Sequence, residues 1–240
     1  MSKKKIQTQI EFAAIIPSLL QNEHIPSLAG HCPVSVFDLA HDPRFTYILT
    51  DMSASMRNIT VSPVDIANSI VNVLRNSRLS KDEGQFITQI LFNHRMQLVC
   101  DAKTLTPSDD DGILIEPDVY RPWGGRAVRD AVFAVLYMIN DLSQKLESQG
   151  LMPQYDIIVL SGSKPDKSSI VTHDELCDAF SSLSGNINTQ YIDVVSMARL
   201  EKALNLFQHD ICFSNALIFK DRLEKHQAAS LFHLHGTILQ

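Results

Sequence analysis

The sequence has no long apolar run, no C-x-x-C pair, no surplus of positive charge and no glycine-rich phosphate loop. Each absence removes a class of protein. A membrane-crossing helix needs about 18 or more apolar residues in a row, and no segment approaches that. The four cysteines, Cys32, Cys100, Cys177 and Cys212, are scattered, so neither a zinc nor a thioredoxin spacing exists. They read as reduced, buried thiols of a cytoplasmic protein. With 21 basic and 27 acidic residues the net charge is −6, which argues against a general grip on nucleic acid. Neither G-x-S-x-G nor G-x-x-x-x-G-K-[ST] occurs, so the common serine-hydrolase and phosphate-loop chemistries lack their signatures. The start, Met1-Ser2-Lys3-Lys4-Lys5, has the basic character of a signal peptide. Gln7, Gln9 and Glu11 then interrupt the apolar run such a peptide needs. Internal repeats and low-complexity segments are also absent.

What is present is ordinary globular composition, with 45% hydrophobic and 20% charged residues among 240. That length suits one domain with an extension and buries a core without disulfides or metals. Residues 1–43 read as the extension: a short amphipathic stretch around Ile6, Ile10, Ala13 and Ala14 is broken by Pro17. His24, His31 and His41 fit no metal spacing.

Regular patterning begins at Phe45. Tyr47-Ile48-Leu49 reads as a strand buried on both faces. A helix follows, with Ser62 as its cap, Pro63 at the first position and Asp65 in the first turn. Ile66, Ala67, Ile70, Val71 and Leu74 make its apolar stripe. Phe86–Phe92 and Met96–Cys100 alternate about a turn at Asn93-His94, the pattern of an antiparallel hairpin. After Trp123-Gly124-Gly125 a long helix carries Val128, Ala131, Val132, Val135, Leu136, Ile139 and Leu142 on one stripe. Tyr155–Leu160 is the clearest buried strand. A helix over Asp174–Leu183 and a strand over Tyr191–Val195 come next. A helix over Ala198–Phe207, a strand over Ile211–Phe213 and a helix over Phe219–Leu231 close the chain. This alternation predicts an α/β domain over residues 44–240. Its doubly wound, mostly parallel sheet has one antiparallel edge strand and helices on both faces.

Ligands of such sheets bind beyond the carboxyl ends of the strands. Three loops fall there: Asp51-x-Ser53-x-Ser55, Gly124-Gly125-Arg126 and Ser161-Gly162-Ser163. One carboxylate and two hydroxyls at alternate positions make a compact oxygen cluster, the donor type that magnesium prefers. From the residues alone, two readings stand. The cluster is a site, or it simply caps the free amides of the next segment. Arg126 likewise has an ordinary alternative partner one turn on, Asp130. The Asp109–Asp111 run reads as a solvated loop, since it lacks the twelve-residue calcium-loop pattern. His233 and His235 read as incidental.

The chain from about 44 to 230 resembles a von Willebrand factor A (vWA) domain. Tyr47 through Met56 looks like the D-x-S-x-S motif that ends that family's first strand, the core of its metal-ion-dependent adhesion site. Gly124 through Ala131 resembles the family's GGT-containing turn and helix. Ile157 to Pro165 is similar to its later strand and loop, usually V-L-T-D-G. Among its branches, the bacterial intracellular proteins of tellurium-resistance type look nearest. Two departures matter. The family's metal-contacting threonine aligns with Arg126, and its second aspartate aligns with Gly162. The matching metal ligands are then Asp51, Ser53 and Ser55. At 4 Å and an effective dielectric of 20, two unit charges interact by about 4 kcal/mol, and a divalent ion would feel roughly twice that from Arg126. The expectation is weak magnesium binding or none, with Arg126 paired to Asp51 in place of the ion. Asp166 is a remote substitute carboxylate.

The resemblance implies a non-enzymatic module that binds another intracellular protein at the top of the sheet, with no membrane or nucleic-acid partner. Trp123, Gly124, Gly125, Arg126, Ser161 and Ser163 are its candidate contacts, Arg126 clasping a partner carboxylate. A structural subunit with a vestigial site is the alternative. A haloacid-dehalogenase-like phosphotransferase fits worse. Ser53 stands where that family has a second aspartate, and the acidic pair of that fold falls too early, at Asp109–Asp111.

Overall fold

The structure is a computed structural model. It describes residues 42–59, 62–76, 84–105, 112–162, 167–168, 170–183 and 187–194. The described elements are β1 (Arg44–Asp51), a short 3-10 turn at Ala54–Met56, α1 (Pro63–Asn76), β2 (Gln85–Phe92), β3 (Met96–Thr104), α2 (Val128–Glu147), β4 (Gln154–Ser161), α3 (His173–Ser182) and β5 (Ile187–Asp193). The sheet has the order β3-β2-β1-β4-β5. All neighbours are parallel except β2 and β3. This is the doubly wound α/β architecture of the vWA-like and Rossmann-like kind that the sequence predicts.

Strand alternation divides the core in two. Phe45, Tyr47 and Leu49 of β1, Phe86 and Ile90 of β2, and Ile157 and Val159 of β4 pack with α2 and α3 on one face. Ile48, Ile87, Leu91, Ile158 and Leu160 point the other way, against Ala67, Ile70 and Val71 of α1 and against Ile113 and Ile115. Both faces are covered, so these strands read as nearly continuous apolar runs. The ring of Phe45 stacks on Phe86 and on Tyr155 at centroid distances of 5.0 and 5.7 Å. At the amino end of β1, Arg44 clasps Asp156 in a two-pronged pair at 2.5 and 3.0 Å.

The helix ends follow their sequence signals. The Ser62 hydroxyl accepts the Val64 amide at 3.2 Å, and Pro63 opens α1. Thr172 and Glu175 form a reciprocal capping box on α3. Two expectations need correction. The last described strand begins at Ile187, not Tyr191. Its polar start, Asn188-Thr189-Gln190, hid it, yet Thr189 and Gln190 are buried against β4. The hairpin is also irregular. Its register shifts near Gln89, and Ala102 takes a φ of 40° while its amide bonds to Thr88 Oγ1 at 2.9 Å. Bulges of this kind twist an edge strand and blunt it against unwanted pairing.

None of the described helices is long and apolar enough to cross a membrane. Cys100 and Cys177 are not joined in a disulfide, and Cys100 is buried. Outside the described residues lie the extension up to residue 41 with His24, His31 and His41, Cys32, Cys212, Ser163, Asp166, the Asp109–Asp111 run, and everything expected beyond 194, including His233 and His235.

Candidate functional site

β1 and β4 are neighbours, and their register pairs Thr50 with Leu160. Asp51 and Ser161, the last residues of the two strands, therefore meet. From β1 the chain crosses to β2 on one side, while β4 lies on the other. The pair sits at the point where the strand order reverses, the crevice that open α/β sheets use for ligands.

Ser161 Oγ donates to Asp51 Oδ2 at 2.5 Å. The chain turns after Asp51, so the Ser53 amide folds back onto Oδ1 at 2.7 Å. Ser53 Oγ and Ser55 Oγ share a hydrogen bond of 2.8 Å. Asp51, Ser53 and Ser161 are buried, and only Ser55 reaches partly to solvent. Burial pushes the Asp51 carboxyl above its ordinary range. The bonds from Ser161 and Ser53 pull it back, and the charge of Arg126 helps them. Tyr120 donates its hydroxyl to the Asp51 backbone carbonyl at 2.7 Å. Burial, and then the charge of Asp51, push that phenol well up.

The second motif is laced onto the first. The Trp123 amide donates to Met52 O at 2.9 Å, and the Ala54 amide donates to Gly124 O at 3.1 Å. Asn93 Nδ2, from the hairpin turn, donates to Trp123 O at 3.0 Å. Gly124 has a φ of +73°, and a Cβ there would overlap the His94 imidazole. Glycine is required here on both counts. Trp123 is 41% exposed. The His94 ring meets it edge-on at 4.6 Å, and the Arg95 guanidinium stands 5.5 Å from its ring centre.

Arg126 lies inward, 9% exposed. Its guanidinium donates to the Gly162 carbonyl, which also accepts the Tyr191 hydroxyl at 2.6 Å. Its Nε has no hydrogen-bond partner among the described residues. The expected direct pair with Asp51 is not made, because Gly162 O holds the guanidinium while Ser161 and Ser53 fill the carboxylate. The alternative pair with Asp130 is not made either. Asp130 accepts the Val171 amide at 2.9 Å instead.

The structure thus joins Asp51, Ser53, Ser55 and Ser161 in one cluster, and sets Trp123, Gly124 and Gly125 above it. Ser161, read from sequence as a partner contact, faces Asp51 rather than the surface. Asn93, His94, Arg95, Tyr120 and Tyr191 were not singled out as site residues. Only the Asn93-His94 turn gave a signal.

The resemblance implies magnesium, so the donors must be tested against it. Magnesium wants octahedral oxygens that include one or two carboxylates. Here both oxygens of the single carboxylate are already hydrogen-bonded. Two of the hydroxyls bond to each other, and a guanidinium lies close enough to act on Asp51. This set of donors among the described residues does not fit a divalent cation. Among the described residues, no three His, Cys, Asp or Glu side chains converge either.

No protein-family model and no curated protein matches the chain. Solved structures do. The PilB minor pilin from Streptococcus sanguinis aligns with a TM-score of 0.51 at 11% identity, over 83% of this chain and 61% of that one. Its D319A mutant gives 0.52 at 11% identity, over 83% and 62%. The chain therefore spans about three fifths of the pilin structures it matches, and at this identity the likeness is one of fold. A manganese-loaded Plasmodium vivax TRAP protein overlaps less well, with a TM-score of 0.42 at 14% identity over 64% of this chain and 59% of that one.

Proposed function

We propose that the chain is a non-enzymatic protein-interaction module of vWA type, which holds its partner at the carboxyl ends of the strands without a metal ion. One observation carries this reading. An exposed tryptophan is held rigidly above a buried polar cluster whose hydrogen bonds are internal. Three bonds fix the Trp123–Gly124 backbone to the loop after β1 and to the hairpin turn, so little entropy is lost when a partner docks there. Exposed aromatics on rigid backbone are frequent interface anchors. In this reading Asp51, Ser53, Ser55 and Ser161 shape the loops rather than touch the partner. Arg126 steadies the β4 loop through Gly162 rather than clasping a carboxylate.

Burial also weighs against phosphotransfer. A nucleophilic Asp51 must meet its substrate, yet it is 0% exposed and both its oxygens are engaged. The same burial favours a second reading, a structural subunit whose vestigial site only braces the fold. We propose a cytoplasmic location with an intracellular partner, a reading supported by the scattered cysteine spacing, which offers no disulfide framework. The tellurium-resistance-like branch remains part of the proposal, on the motif order alone.

A photo-crosslinking residue at Trp123, compared with one at exposed Glu147 at the far end of α2, separates the two readings. Capture of one discrete partner from position 123 but not from 147 supports the top-face module. Equal capture from both, or none from 123, refutes it.

A further inference from the structure

The rim around Trp123 is positive, although the chain's net charge is −6. Four exposed cations belong to, or touch, the segment 121–126. Arg57 Nε donates to Pro122 O at 2.9 Å, and Arg121 Nε donates to Asp118 O at 3.2 Å. Arg95 stands by the Trp123 ring. The Lys167 amide bonds to Arg126 O at 2.7 Å, and its methylenes run past Gly125.

Two cations elsewhere are matched by carboxylates: Lys145 pairs with Asp141 at 2.8 Å, and Arg44 pairs with Asp156. Among the described residues, none of the four rim cations has a carboxylate within ion-pair distance. Glu116 and Asp118 are exposed on the same loop without pairing to them. Arg57 and Arg121 are tethered through Nε to carbonyls, so their forks are held in place. Their terminal nitrogens make no hydrogen bond among the described residues. A guanidinium fixed in this way suits two-pronged capture of a carboxylate.

We propose that this rim docks an acidic polypeptide segment, whose carboxylates meet Arg57, Arg95, Arg121 and Lys167 while its chain rests on Trp123. The inference rests on the top-face reading above and adds the chemistry of the partner. Unmatched like charges held together repel one another, and an anionic partner relieves that repulsion. Nucleic acid is the poorer fit, because its footprint is an extended basic face and this patch is small, with two carboxylates beside it. A symmetric second copy would set the same cations against each other.

The test is fluorescence anisotropy of a labelled oligoglutamate peptide with the full chain over a range of salt. The expected result is binding that weakens as salt rises. The double variant Arg95→Glu, Lys167→Glu should lose about ten-fold or more in affinity, and Trp123→Ala about two- to five-fold. Urea unfolding checks that each variant is folded. No binding by the wild-type chain overturns the inference, as does unchanged affinity in the double variant. Equal or tighter binding of a single-stranded oligonucleotide does so too. The crosslink from position 123 reports the face itself. If it persists while oligoglutamate stays unbound, only the acidic chemistry fails. If it is lost, the face fails as well.

Discussion

Replacing Ser161 by alanine removes one oxygen from the most buried point of the site and little else. Ser161 is 0% exposed, and its hydroxyl supplies the 2.5 Å bond to Asp51 Oδ2. The variant leaves that carboxylate oxygen without a donor in a dry environment. A hydrogen bond to a charged group contributes about 1.5–3 kcal/mol, and one to a neutral group about 1 kcal/mol. The loss therefore depends on the protonation of Asp51. Burial raises the folded-state pKa of Asp51 above 3.8, and the Ser161 bond opposes that rise. A raised pKa means stability that is fully present below the unfolded value and is lost as pH climbs through the folded one. Without Ser161 the folded value climbs further, so the variant loses more over a wider window. The destabilisation should be about 1 kcal/mol in acid and roughly 2 kcal/mol or more once Asp51 ionises. The larger figure corresponds to a drop of about 4–8 °C in Tm for a chain of this size. Urea unfolding between about pH 4 and 9 measures it, with Trp123, the single tryptophan, as the probe. A destabilisation that shrinks as pH rises, or none at any pH, would refute the account of a desolvated carboxyl held by Ser161.

Gly124→Ala places a non-glycine residue at a φ of +73° and a methyl in the His94 ring. It should cost about 1–2 kcal/mol and shift the Trp123 emission as the ring is displaced. Millimolar magnesium should leave the wild-type melting temperature unchanged. A site with a Kd ten-fold below the ion concentration would add about 1.4 kcal/mol, which calorimetry would detect as a rise of roughly 3–6 °C. The double variant Arg126→Thr, Gly162→Asp should gain a magnesium-dependent rise in Tm that neither single variant shows.

The fold was legible where burial is two-sided or the pattern periodic. Ile157 to Leu160 could only be a core strand, and Ser62-Pro63 with Asp65 could only open a helix. β5 was half hidden, because its buried Thr189 and Gln190 carry polar names that a hydropathy reading counts as loop. The order of the three motifs placed Asp51, Gly124 and Ser161 at one end of the sheet before any coordinates. The direction of the Ser161 hydroxyl was not legible, since it follows from the register of β1 against β4. The rim was hidden for a related reason. Arg57, Arg95, Arg121 and Lys167 stand far apart in sequence, and separate loops carry them to Trp123. A single residue in a loop has no periodicity to betray it.

The two departures from the vWA pattern, Arg126 and Gly162, read from sequence as separate losses. In space they touch, since the Arg126 guanidinium bonds to the Gly162 carbonyl. This makes them one change. A carboxylate at 162 would stand beside the end of β4 near Asp51, and two close carboxylates need a cation to hold both charges. With glycine at 162 that need disappears, and its carbonyl, which accepts the Tyr191 hydroxyl, has a second lone pair for another donor. Arg126 fills the space with a fixed positive charge that donates to the carbonyl and lowers the charge cost of Asp51. A mobile divalent ion can be completed by a partner's carboxylate or lost to a chelator. A covalently tethered guanidinium held 91% buried by its neighbours can do neither. In the proposed reading, recognition moves outward, from the floor of the crevice to the exposed cations around Trp123. On this argument partner binding should be insensitive to chelators and sensitive to salt, the reverse of a metal-completed contact.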